Sequence, residues 1–224
     1  MTQHAPYVRF GAIHAVPSLH GQWRFAALVR EAFFQVKPKA IAVELPATLE
    51  ASIRKGIERL PYLSVVAYED YDAELEKTRE IVAVTPEDSL IEAVRLGMEH
   101  GVPVHFIDRD VLNHHPEPVK VPDDYLIERI GLEAYWKHVA PHLPVAEAGS
   151  PDDEREIEMA ARLRDLSGPV LFVCGMSHLK AIQQHYAGKQ AAATGAVTQR
   201  EQMLYTLSAD SAPAVLGDYP YFAF

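Results

Sequence analysis

Short apolar runs alternate with helical segments along this chain, and that alternation limits its fold more than any other feature. Residues 7–13, 40–45, 63–68, 102–107 and 170–174 each read as a buried strand. Helical stretches lie between most of them. Residues 22–36 place Phe25, Leu28, Val29, Ala32 and Phe33 on one face at helical spacing. Residues 49–60 read as a second, shorter helix. Thr85-Pro86-Glu87-Asp88 reads as a helix start, with Thr85 as cap, Pro86 at the first helical position and Asp88 as the acid of a capping box. That helix runs to about His100 and stops at Gly101. Ser150-Pro151-Asp152-Asp153 repeats the chemistry and opens a helix to about Leu166, with Glu158 and Arg162 paired on its outer face. The fold class this implies is α/β, a mostly parallel central sheet flanked by helices.

Residues 113–149 break the alternation. They hold many of the prolines and histidines, together with Tyr135, Trp136 and a predicted helix over 127–139. They read as a helical or irregular insertion, or lid, on a single α/β domain over 1–224. Residues 188–198 are rich in small side chains and read as a loop.

Composition bounds the partners. The 224 residues are 48% hydrophobic and 23% charged, which suits one domain with a sizeable core. A formal net charge of −10 argues against nucleic acid or an anionic membrane as the main partner, because both require clustered Lys and Arg. The single cysteine, Cys174, excludes an internal disulfide and fits a reducing compartment. No basic region or long apolar run is read at the N-terminus, and no stretch reaches the roughly 20 apolar residues of a membrane helix. The expected location is therefore cytoplasmic. The aromatic segment 219–224 is expected either to pack on the domain or to mark the chain as part of something longer. Oligomeric state stays open, a homodimer being one option.

A Gly-x-x-His motif occurs twice, as Gly11-Ala12-Ile13-His14 and Gly175-Met176-Ser177-His178, each after an apolar run. The second strand ends at Glu44 and the fourth at Asp108-Arg109-Asp110. In an open parallel sheet the carboxyl ends of the strands share one edge, and ligands bind there. His14, Glu44, Asp108, Arg109 and His178 are thus expected to converge. Neutral imidazoles with carboxylates suit divalent Zn, Mn, Co or Fe. The same groups without metal can activate water, with histidine as general base and arginine stabilising an oxyanion. Arg155 is an unusual choice in the first turn of a capped helix, where an acid suits the dipole better, and this favours a role in binding a carboxylate. His114-His115 are candidate extra ligands on the lid. His20 can line the cleft, although a role at the start of the following helix is the plainer reading. Cys174 reads as an inert core thiol. Gly-x-Ser-x-Gly, a phosphate-binding glycine loop and Cys-x-x-Cys are all missing, so serine-hydrolase, nucleotide and zinc-finger readings lose ground.

These segments, taken in order, resemble the TraB/PrgY and Tiki proteins of the wider erythromycin-esterase and ChaN-like superfamily. The resemblance rests on Gly11 to His14 with Ser18 downstream, on Lys37-Pro38 followed by a strand and Glu44-Leu45, and on Ile107-Asp108-Arg109. It continues in the helix from Arg155 to Met159-Ala160 and ends at Gly175 to His178. It covers roughly residues 7–180 without the insertion. The family's further arginine beyond Ile-Asp-Arg-Asp has no counterpart in Val111 to His115, so the substrate side is expected to differ. The resemblance implies a hydrolase of a peptide or ester bond. The site would be metal-dependent, with Mn or Co on His14, Glu44 and His178, or it would use histidine as a base; the strand-end reading adds Asp108 as a ligand and Zn as an ion. Arg109 and Arg155 would bind anionic charge. The substrate would be a small molecule or a peptide. The alternative is a non-catalytic binding protein for a peptide or haem, with haem the weaker expectation.

Overall fold

The computed structural model describes residues 4–71, 77–111, 121–192 and 201–213. The fold is α/β, as the alternation implies. In chain order the elements are β1 (Val8–Phe10), β2 (Ile13–Ser18), α1 (Trp23–Val36), β3 (Ala40–Pro46), α2 (Glu50–Glu58), β4 (Ser64–Tyr71), β5 (Lys77–Val84), α3 (Ser89–His100) and β6 (Val104–Asp108). Then come α4 (Leu126–Ile130), α5 (Leu132–Val139), α6 (Pro151–Arg164), β7 (Val170–Gly175), α7 (Leu179–Gly188) and β8 (Gln202–Thr206).

Five strands form the main sheet in the order β1-β2-β7-β3-β6. All pairs are parallel except the β1–β2 hairpin at its edge. β7 lies in the middle and every residue of Val170–Gly175 is buried, which is why it reads as an uninterrupted apolar run. Helices bury their apolar faces on this sheet. Phe25, Val29, Ala32 and Phe33 are the buried stripe of α1, as helical spacing predicts. Gly97 lets α3 approach closely: a Cβ there would collide with Val104 and press on Ile41.

Two expectations need correction. Residues 7–13 are not one strand ending at His14. Gly11 adopts a left-handed φ of 55° and the chain folds back, pairing Phe10 with Ile13. His14 is therefore the second residue of β2, not the residue after a strand. Residues 63–68 do form a strand, but in a separate antiparallel sheet of order β5-β4-β8. Its outer strands were not legible as apolar runs. β8 is only half-buried, and β5 opens with the charged stretch Lys77 to Glu80.

The first helix of the acidic starts also shifts. Asp88, not Thr85, caps α3: its Oδ1 accepts from the Leu90 and Ile91 amides at 2.8 and 3.2 Å. Ser150 caps α6 as expected, accepting from the Asp153 amide at 3.3 Å. The helix expected over 127–139 is two, broken at Gly131 with φ 81°. Their inner residues Tyr135 and Trp136 belong to the main core, and Arg24 ties α1 to Asp124 and Glu128 on the insertion. His114-His115, residues 193–198 of the small-residue loop and the aromatic segment 219–224 lie outside the described residues. No helix among the described residues is long and apolar enough to cross a membrane.

Candidate functional site

Strand register brings one set of side chains to one edge. Ser18 ends β2 level with Gly175, the last residue of β7. β3 is paired with β7 up to Val43↔Val173, so Glu44 follows at the same edge, and β6 ends there at Asp108. Pro46 pairs with Asp108 after a register shift, which bends β3 just beyond Glu44.

Arg155, from the second turn of α6, reaches under this edge. Its Nε donates to the two Asp108 oxygens at 3.1 and 3.2 Å, and its Nη2 donates to Asp108 Oδ2 and to Glu44 Oε1, both at 2.8 Å. Its Nη1 donates to Asp152 Oδ1 at 2.9 Å. Arg155, Glu44 and Asp108 are all buried. The guanidinium expected to receive a substrate carboxylate is thus engaged by three carboxylates of the chain itself. Asp108 pairs with Arg155 rather than with its neighbour Arg109. The Arg109 amide donates to Asp108 Oδ1 at 2.8 Å, while its partly exposed guanidinium lies 3.5 Å from Glu154.

His178 follows β7 and starts α7. Its Nδ1 is 2.8 Å from Glu156 Oε1, and its Nε2 is 3.5 Å from Glu44 Oε1. Burial alone would lower its pKa, but the Glu44 charge and the Glu156 hydrogen bond outweigh it and raise the value to about 9. Burial would likewise raise Glu44, yet His178, Arg155 and His20, with the Gly175 amide donating to Oε2 at 2.5 Å, hold it down to about 2. Asp108 moves the other way: burial pushes it above the usual carboxylate range despite Arg155. At neutral pH the edge thus carries an imidazolium set against an ionised, buried carboxylate.

The second histidine at this edge is His20, not His14. A Cβ placed on Gly175 would lie 3.2 Å from His20 Nε2, 3.3 Å from Glu44 Oε2 and 3.3 Å from His178 Cδ2, so all three side chains border that glycine. His20 gets there because it follows the end of β2. The Gly21 amide beside it donates to Asp88 Oδ2 at 2.8 Å, and Ser89 Oγ donates to Ser18 Oγ at 2.8 Å, so the start of α3 holds the β2 loop in place. His14 pairs with Leu171, four residues before the Ser18 end of β2. That is about 13 Å along a strand. It stacks edge-to-face on Tyr7, with ring centroids 4.8 Å apart. The signal for His20 was present in the sequence as a histidine just past a buried run and before a glycine.

The ligand set that the resemblance implies does not gather as a metal centre. His14 is at the far end of its strand, and both Asp108 oxygens and one Glu44 oxygen are held by Arg155. Among the described residues, the group whose donor atoms all lie within 4.8 Å of one another is Asp153, Glu156 and His185. Cys174 is fully buried, and burial raises its thiol well above the usual value, as an inert core residue requires.

A scan against protein-family models, a search of curated proteins and a search of solved structures each found no match. The TraB/Tiki resemblance therefore rests on the sequence motifs alone.

Proposed function

We propose that this protein is a hydrolase of a peptide or ester bond, working by histidine acid–base chemistry at the carboxyl edge of the main sheet. The observation that supports it is His178 held between Glu156 and Glu44 with His20 beside them over Gly175. Two titratable groups of one chemical type, in different surroundings, suit complementary acid and base roles. In this reading the scissile carbonyl sits above Gly175. His20 takes a proton from water as the water oxygen bonds to the carbonyl carbon. His178 enters as the imidazolium: its Nε2–H faces the developing oxyanion and then passes its proton to the leaving nitrogen or oxygen as that bond breaks. Glu156 fixes the ring through Nδ1, and Glu44 keeps it charged. Arg155 and Asp108 hold Glu44, so they are positioning residues. Arg109, partly exposed at the rim, supplies a cation for an anionic group of the substrate.

The test is hydrolysis of p-nitrophenyl acetate and of a fluorogenic peptide panel by the untagged chain and by His178→Ala. A rate above buffer that falls by roughly 10²–10⁴-fold in the variant supports the reading. No hydrolysis across the panel, or a full rate in His178→Ala, refutes it.

A further inference from the structure

A second cluster lies where α6 faces α7. Asp153 and Glu156 are three residues apart on α6 and share a face, and His185 comes from α7 alongside. One donor atom from each lies within 4.8 Å of the other two. Each side chain is oriented through one atom and presents another. Gln190 Oε1 faces His185 Nδ1 at 2.8 Å, which leaves Nε2 turned toward Asp153. The Gly149 amide donates to Asp153 Oδ2 at 2.8 Å, which leaves Oδ1. Glu156 Oε1 holds His178 Nδ1, which leaves Oε2.

Glu156 Oε2 is the independent observation. Glu156 is 3% exposed, and this oxygen is buried with no hydrogen-bond partner among the described residues. A buried carboxylate oxygen left this way is costly unless something positive meets it. The one close pair in the cluster has an informative length as well. His185 Nε2 and Asp153 Oδ1 are 3.3 Å apart. That is longer than the ~2.7–2.9 Å of a charge-assisted hydrogen bond. It equals the roughly 3.3 Å between two ligands that each sit ~2.0 Å from a tetrahedral ion. The charge balance agrees. Asp152, Asp153, Glu154 and Glu156 crowd the first turns of α6, and the Arg155 among them is turned toward Glu44, Asp108 and Asp152. Arg164 caps the last carbonyls of α7 at His185, which steadies the imidazole's helix.

We propose that Asp153, Glu156 and His185 bind one divalent transition-metal ion of the Zn(II), Co(II) or Mn(II) class, with water completing its shell. The ion joins α6 to α7 and touches the His178 site only through the shared Glu156 carboxylate. It acts on position and stability, and it does not depend on the hydrolase reading.

The experiment is calorimetric titration of the EDTA-treated, untagged full chain with ZnCl₂, followed by Co(II) absorption spectra. The expected result is one equivalent of Zn(II) per chain, a rise in Tm, and a visible Co(II) band. His185→Ala and Asp153→Asn, both partly exposed positions, should keep the far-UV circular dichroism of the parent. Each should weaken binding by at least roughly tenfold, the loss that even an outer-shell partner causes. No binding at millimolar Zn(II), or one-site binding that survives both substitutions, overturns the proposal. None of these readouts involves hydrolysis, so failure here and failure of the hydrolase reading are distinguishable.

Discussion

Glu44 Oε1 accepts a hydrogen bond from Arg155 Nη2 at 2.8 Å, across 111 residues of chain, and both side chains are buried. The same guanidinium also neutralises Asp108. Removing it would leave Asp108 buried without its cation and take one of two cations from Glu44. Arg155→Met should cost about 3–5 kcal/mol in urea unfolding. A loss under about 1 kcal/mol would mean that the carboxylates reach solvent, contrary to the burial described.

The Glu44–His178 pair sets a pH window. The folded Glu44 pKa is near 2, below its ordinary 4.5, so its contribution is complete above about 4.5 and fades as pH falls toward 2. The folded His178 pKa is near 9, above its ordinary 6.5, so its contribution is complete below about 6.5 and fades as pH rises through 9. The pair's own contribution, read as parent minus Glu44→Gln urea midpoints from pH 3 to 10, should therefore be flat between roughly 4.5 and 6.5 and fall on both sides. His178→Gln should flatten the alkaline limb; an unchanged limb would place its origin elsewhere.

Gly175→Ala separates site from fold. Its φ is not in the left-handed range, so the backbone tolerates alanine, but the new methyl presses on His20, Glu44 and His178 at 3.2–3.3 Å. Activity on the responsive substrate should drop by about tenfold or more with a Tm change of only a few degrees. Equal loss of both would mean that the glycine matters for packing alone.

Glu87 is buried, and burial pushes its pKa up against the opposing pull of its own backbone amide and the Thr85 side chain. A carboxyl raised in the folded state is most favourable below about 4.5 and loses stability as pH climbs past its folded pKa. Glu87→Gln should gain about 1 kcal/mol at pH 8 and much less at pH 4. Equal effects at both pH values would rule out the charge as the cause.

The main sheet was legible because its inner strands β2, β7 and β3 are almost wholly buried and read as apolar runs, with Val170–Gly175 the clearest. The second sheet was hidden because β8 is half-exposed and β5 begins with charges, so neither shows a sharp pattern. Glu44, Asp108 and His178 were found at one edge because each follows a run whose end the sequence marks. Arg155 stood out as a cation in a helix turn that favours acids, and the structure explains it through three carboxylates rather than a ligand. His14 was expected at the edge, with His20 either lining the cleft or starting the helix, and the strand's start decides between them. Periodicity gives a strand's presence but not its start, and the Gly11 turn moved β2 forward so that a later histidine met the edge.

The measurement that bears most directly on the site is a paired comparison of His20→Ala and His14→Ala on whichever ester or peptide the parent chain hydrolyses. His20→Ala should lose roughly 10²-fold or more in kcat/KM while His14→Ala stays close to the parent. The reverse ranking, or full activity in both variants, would contradict a site built on His20, Glu44 and His178.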